Sequence, residues 1–194
     1  MKKQNRCYLY LTWPKYLAQW YAHEMYRLRH IDDETLPSYM YNCDVEVSEL
    51  EPVQTLRGSA ERNILELCIT KQPDVIPAAP PQDATICIEI PYFLNRPPET
   101  YNYLRPQSQS LLEATVRNHF RLELTKFINK MLFTSRVIQQ GGSTTFTQVI
   151  EAFMDLHGIE NTETNALAIK QTWQRLYWKE YKSQKKGKNE NTGS

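Results

Sequence analysis

Residues Thr145 to Lys182 constrain this chain most tightly, because they permit two helices with a sharp stop between them and little else. Thr145-Phe146-Thr147-Gln148 has the form of a capping box. In that motif the Thr hydroxyl and the Gln side chain satisfy backbone N–H groups that a helix start leaves open. Phe146, Val149, Ile150 and Phe153 follow at i, i+3, i+4 and i+7, the spacing of one buried helix face. His157-Gly158 ends the helix, since Gly tolerates the left-handed backbone of a stop, and Ile159 is placed to fold back over the last turn. The chain restarts after Asn161 or Thr162, either of which suits an N-cap.

In the second helix Ala166, Ile169, Trp173, Leu176 and Tyr177 make one apolar stripe. At about 100° per residue, Gln171, Arg175, Trp178 and Lys182 fall opposite it, flanked by Lys170, Gln174 and Lys179. Amides, guanidinium and ammonium groups are the donors that reach base edges and phosphates. Two helices joined by a short Gly-containing turn also suit a helix-turn-helix, whose second helix enters the major groove. The expected nucleic-acid contacts are therefore Lys170, Gln171, Gln174, Arg175, Trp178, Lys179 and Lys182. A merely solvated basic face has the same pattern. The connection from Gly158 to Thr162 is also slightly longer than the turn of about 3–4 residues that the motif favours.

Charge is distributed in keeping with such a surface. Residues 1–100 hold 10 Lys+Arg and 14 Asp+Glu, and residues 101–194 hold 13 and 8, so a net of −4 is followed by +5. Asymmetry of this kind suggests that one half meets a polyanion. It is milder than the charge of a dedicated nucleic-acid module, and much of the excess sits in the four lysines between Lys182 and Lys188. Cys7, Cys43, Cys68 and Cys87 are widely spaced without a Cys-x-x-Cys pair, which points to free thiols in a reducing cytoplasm. No stretch approaches the ~20 apolar residues of a membrane helix, and the apolar run Cys7 to Trp13 is too short for a signal core. The expectation is a cytoplasmic protein without membrane contact.

Upstream, the pattern is mixed. Cys7 to Thr12 reads as a strand, and Pro14 opens a helix that keeps Leu17, Trp20, Tyr21 and Leu28 on one face to about Arg29. His30 to Asn42 reads as a loop, Val45 to Val47 as a half-buried strand, and Val53 to Leu56 as a further sheet segment. Ser59 can cap a helix running to Lys71, although Ile64 to Thr70 also fits a strand. Pro73 to Pro81 is an irregular loop. Ala84 to Ile90 is the strongest strand, with Ile86, Ile88 and Ile90 on one face. Beyond a soft boundary at Pro91 to Pro98 the sequence looks wholly helical. Pro106 opens a long helix with Leu112, Val116, Phe120, Leu124, Phe127, Ile128 and Met131 in its stripe, and Gln139 to Ser143 form a connector. The expected fold is α+β: a small mixed sheet with two helices over residues 1–95, a three-helix region with the helix-turn-helix-like hairpin over 96–183, and a disordered basic tail over 184–194.

Candidate chemistry dissolves on inspection. His23-Glu24 starts like a zinc-protease motif, but Arg27 stands where the second His belongs, and His30 is two turns away. Gly58-Ser59 could open a phosphate-binding helix start, yet it lacks the Walker loop's Gly-Lys-Ser/Thr. No Gly-x-Ser-x-Gly and no His-x-His occur. Arg117, His119 and Arg121 beside one of twelve tyrosines would suit a Tyr nucleophile, a coincidence that many tyrosines make commonplace. Asp32-Asp33-Glu34 reads as a solvated acidic loop. No catalytic residue, metal ligand or cofactor is expected. Trp13, Tyr16, Trp20 and Tyr21 are denser than one helix needs, and suit either the core of a sheet-and-helix layer or a surface for a protein partner or self-association.

Five segments together resemble a group of small uncharacterised bacterial proteins associated with mobile elements and phage-like regions. They are Tyr16 to Trp20, Arg57 to Glu61, Ile90 to Phe93 with Thr100 to Leu104, and His157-Gly158-Ile159. The resemblance spans most of residues 8–180. It implies a bacterial cytoplasmic setting and is compatible with DNA contact, and it brings no activity and no catalytic residue. Two expectations follow: a non-enzymatic nucleic-acid-binding protein acting through the hairpin, or a protein-interaction module of a mobile element with no nucleic-acid contact.

Overall fold

A computed structural model describes residues 6–30, 50–73, 81–137 and 145–190, without the side chains of 132–137 and 179–190. The expected loop after His30, the strand at Val45, the acidic run Asp32 to Glu34, Cys43, most of the proline-rich loop and the 139–143 connector lie outside the described residues. The fold is α+β. Strand β1 (Tyr8–Leu11) leads into helix α1 (Lys15–Arg29), followed by β2 (Pro52–Gln54), α2 (Ala60–Cys68), β3 (Ile69–Lys71), β4 (Ile86–Glu89) and β5 (Tyr101–Leu104). Helices α3 (Pro106–Val137), α4 (Phe146–Leu156) and α5 (Glu163–Glu190) complete the chain.

The apolar run at Ile86 becomes the central strand of a mixed sheet ordered β1-β4-β2. β1 pairs with β4 antiparallel, with Tyr10 opposite Cys87, and β2 pairs with β4 in parallel, with Val53 opposite Ile88. A parallel pair needs a crossover, and α2 lies in the chain between these two strands. Both faces of β4 are covered, since Ile86, Cys87 and Ile88 are all buried. Burial raises the Cys87 thiol to about 11. Thr85 extends the sheet edge: its hydroxyl donates to the Trp13 carbonyl and accepts from the Trp13 N–H, both at 2.8 Å.

The region after residue 96 is not wholly helical. Tyr101–Leu104 is a strand that pairs antiparallel with β3, with Ile69 opposite Leu104 and a register shift between Thr70 and Lys71. Four residues of Tyr-Asn-Tyr-Leu are too short for periodicity to reveal them, and a tertiary partner decides their conformation. The ambiguity at Ile64 to Lys71 resolves into both alternatives, because α2 ends at Cys68 and β3 begins at once.

Helix α3 organises the core. Leu112, Val116, Phe120, Leu124 and Ile128 are fully buried in one row of four-residue steps. Such a row turns about 40° per step, so the buried face winds around the helix. α3 thereby packs against α1 and α2 as well as against α4 and α5. Phe120 is the hub, with ring centroids 5.2 Å from Tyr16, 5.4 Å from Trp20 and 5.7 Å from Phe153. Trp13, Tyr16, Trp20 and Tyr21 are all buried, so this aromatic layer is core. One hydrophobic cluster runs from Leu9 to Ile169 and crosses the boundary placed at residue 95. α5 continues to Glu190, through residues 184–190 where the sequence suggests disorder. Lys, Gln and Glu are good helix formers that extend a helix already nucleated on the core.

Phe120→Ala is expected to lose about 3–5 kcal/mol in urea denaturation, from the removed ring and the cavity left behind. Leu122→Ala, at an exposed position two residues along, is expected to stay within about 0.5 kcal/mol.

Candidate nucleic-acid interface

The hairpin forms as its local chemistry dictates. Thr145 N–H donates to Gln148 Oε1 at 2.8 Å, and Gln148 N–H donates to Thr145 Oγ1 at 3.3 Å, closing the capping box. α4 ends in a Schellman stop: Gly158 has φ +61°, Ile159 N–H donates to the Met154 carbonyl at 2.9 Å, and Gly158 N–H donates to Asp155 at 3.5 Å. Thr162 caps α5 by accepting from Asn165 N–H at 3.2 Å.

The turn between the helices is seated on α1. Buried Gln19 accepts from Glu160 N–H at 3.1 Å and from Asn165 Nδ2 at 3.3 Å, while Asn165 also donates to the Glu160 carbonyl at 3.0 Å. Gly158 lies directly against His23, and a Cβ there would stand 2.6 Å from His23 Cδ2. The segments around Gln19 and around Gly158, far apart in the chain, thus meet in space. Nothing in the local spacing marks Gln19 for this role, since its partners lie more than 140 residues away.

The docked hairpin sets which face of α5 is outside. Asn165 and Ile169 are buried; Ala166, Ala168, Thr172, Trp173 and Leu176 are half-buried. Lys170, Gln171, Gln174, Arg175 and Trp178 are all exposed, so five of the expected contacts share the outer surface. The side chains of Lys179 and Lys182 lie outside the described residues. Neither Lys170 nor Arg175 is in an ion pair among the described residues, whereas Arg27, Arg117 and Lys126 are paired with Glu24, Glu113 and Glu123. Tyr177, placed by periodicity in the apolar stripe, is instead 50% exposed. It stacks on Trp173, with ring centroids 5.3 Å apart and planes at 22°.

The other candidates are absorbed by the fold. Arg117 bonds Glu113 and donates to the Tyr16 hydroxyl at 3.1 Å, tying α3 to α1. His119 Nδ1 lies 2.8 Å from Oε1 of buried Glu61 and ties α3 to α2. Arg121 donates to Asn118, so the three side chains do not converge on a tyrosine. Ser59 caps α2 by accepting from Arg62 N–H at 3.2 Å. His23 is buried and His30 stacks on Tyr26 at 4.0 Å. Among the described residues no group of three His, Cys, Asp or Glu side chains could hold a metal ion. An open groove of about 480 Å³ lies between α2 and residues 93–96, with Leu67 (76% exposed) and Leu94 (85%) on its rim. Arg96 closes one side by donating to the carbonyls of Glu66, Leu67 and Ile69 at the end of α2.

No protein family, curated protein or solved structure matches the chain. No helix among the described residues is long and apolar enough to cross a membrane.

The seat of the hairpin makes stability pH-dependent. Burial pushes His157 down to about 4; Glu24 opposes this, the neighbouring His23 adds to it, Glu123 opposes and Arg27 adds. His23 is lowered as well, by burial first and with Glu24 opposing. Above about pH 6.5 these imidazoles are neutral in both folded and unfolded chains. Below that, the unfolded chain takes up protons that the folded one refuses, so stability falls as pH drops from about 6.5 to about 4. The urea midpoint is expected to decline across that window, and His157→Gln to flatten the decline. Gly158→Ala is expected to cost about 1–3 kcal/mol at pH 7, from the left-handed φ and the contact with His23.

Proposed function

We propose that this protein is a non-enzymatic nucleic-acid-binding protein of the cytoplasm, and that the outer face of α5 makes the contact. The observation that carries the proposal is the shared exposure of Lys170, Gln171, Gln174, Arg175 and Trp178 on one helix. Lys and Arg supply phosphate contacts, the two Gln amides supply hydrogen bonds to base edges, and Trp178 supplies contact area. The sequence of α5 holds seven Lys+Arg and three Glu over about 40 Å of helix, a length that spans several phosphates. The residues before α5, on α1 and α3, act as the platform that holds this face outward.

A second function is favoured by one specific feature, the solvent-facing Leu67 and Leu94 on the rim of the α2 groove. Exposed apolar pairs beside a concavity suit a protein interface. In that case the chain forms a defined oligomer, Leu94→Asp disrupts it in light scattering, and nucleic acid does not bind.

Fluorescence anisotropy with labelled nucleic acid at about 50 and 200 mM salt separates the two. Binding that weakens by at least about tenfold at the higher salt is expected, because phosphate neutralisation releases counterions. Lys170→Ala with Arg175→Ala is expected to weaken binding by a further factor of about ten at low salt and to reduce the salt slope by about two. No binding at low salt would discard the proposal.

A further inference from the structure

We infer that the surface of α5 is built for unpaired nucleotides, so that the ligand is a single strand whose bases stack on Trp178 and Tyr177. This rests on the nucleic-acid reading of α5 and narrows it. Four aromatic rings form a continuous series at this end of the molecule. Phe146 meets Trp173 at 4.5 Å, Trp173 stacks on Tyr177 at 5.3 Å and 22°, and Tyr177 meets Trp178 edge-on at 6.2 Å and 73°. The inner members are half-buried and the outer two are 50% and 57% exposed. Tyr177 is thus held by the inner Trp173, and Trp178 abuts Tyr177, so part of the rotamer freedom of the outer rings is already spent before a base settles on them.

Polar groups are placed around these rings as a backbone-tracking surface requires. Lys170 stands two helical turns before Tyr177 on the same stripe, and Arg175 stands one turn before Trp178. Gln171 and Gln174 share the Trp178 stripe, within reach of the edges of a base stacked there. Cations beside aromatic faces are the composition of sequence-tolerant single-strand sites. A duplex offers an indole only the edges of bases already stacked on one another, and base faces become available only on an unpaired strand.

The start of α5 argues in the same direction. A helix-turn-helix reads the major groove with the first residues of its second helix. Here that end carries no exposed cation before Lys170: its outward residues are Glu163, Thr164 and Leu167. Asn165 and Ile169 are buried in the fold, Asn165 is bonded to Gln19, and the exposed residues at that end include Glu160 and Glu163. Carboxylates at the leading end would meet phosphates, whereas the basic and aromatic side chains lie further along the helix.

The test is a binding comparison with the full chain at about 50 mM salt, using labelled dT and rU strands of about 20 nucleotides and a mixed-sequence duplex of the same length. The strands are expected to bind at least about tenfold more tightly than the duplex and to quench tryptophan fluorescence. The two strands against each other report whether ribose or deoxyribose is preferred. Trp178→Ala is expected to weaken strand binding by about tenfold and to leave duplex binding within about twofold, while Trp178→Phe retains most of the affinity. Duplex binding equal to or tighter than strand binding, or strand binding indifferent to Trp178→Ala, would overturn the single-strand inference and leave the nucleic-acid reading standing. Failure of all three ligands to bind would overturn both.

Discussion

The buried amide of Gln19 is the contact on which the rest of the arrangement depends. Its Oε1 accepts from the backbone of Glu160 and from the side chain of Asn165, so one side chain of α1 satisfies the turn and the first coil of α5 together. Leaving these buried donors without a partner would carry the desolvation cost of unmade hydrogen bonds, typically about 1–3 kcal/mol for each group. His23, one turn further along α1, fills the space that the missing Gly158 side chain leaves. The hairpin therefore has a single seat, and the seat decides the rotation of α5 about its own axis. Which residues of α5 face solvent is a consequence of a contact made some 140 residues earlier in the chain.

Around that seat the core is held by rings. Phe120 and Phe153 sit between α1, α3 and α4, and Phe127 packs edge-on to Phe153. Edge-to-face aromatic pairs contribute direction as well as area, and this suits a junction where several helices cross. The buried polar groups follow the same economy. Glu61 is paired with His119 across α2 and α3, and Tyr21 is raised well above its ordinary value first by burial and then by the charge of Glu61. These contacts explain why the titratable residues that draw attention in the sequence do structural duty. Arg117 and His119 bridge elements, Arg121 makes its contact within α3 and His30 at the end of α1, and none of the four lines the groove beside α2.

Local signals in the sequence were read with good fidelity where a few adjacent residues suffice. The capping box at Thr145, the stop at Gly158 and the cap at Ser59 depend on neighbours within six residues. The central strand was legible because three isoleucines alternate, and α3 because its stripe is long. Tyr101 to Leu104 escaped, since four residues cannot display a period and β3, which pairs with them, is over 30 residues away. Tyr177 departs from the buried stripe because periodicity records which residues share a face, not which of them the packed chain covers.

The same division applies to function. The basic and amide character of one side of α5 follows from local residues alone, because composition and helical period are properties of adjacent residues. Formation of the hairpin follows from them too, because caps and glycine act within a turn. Packing against distant partners sets this side outward, buries the aromatic group at Trp13 to Tyr21, and leaves Tyr177 and Trp178 half-exposed. Those outcomes follow from burial against distant partners, and burial is a property of the packed chain that no local stretch contains.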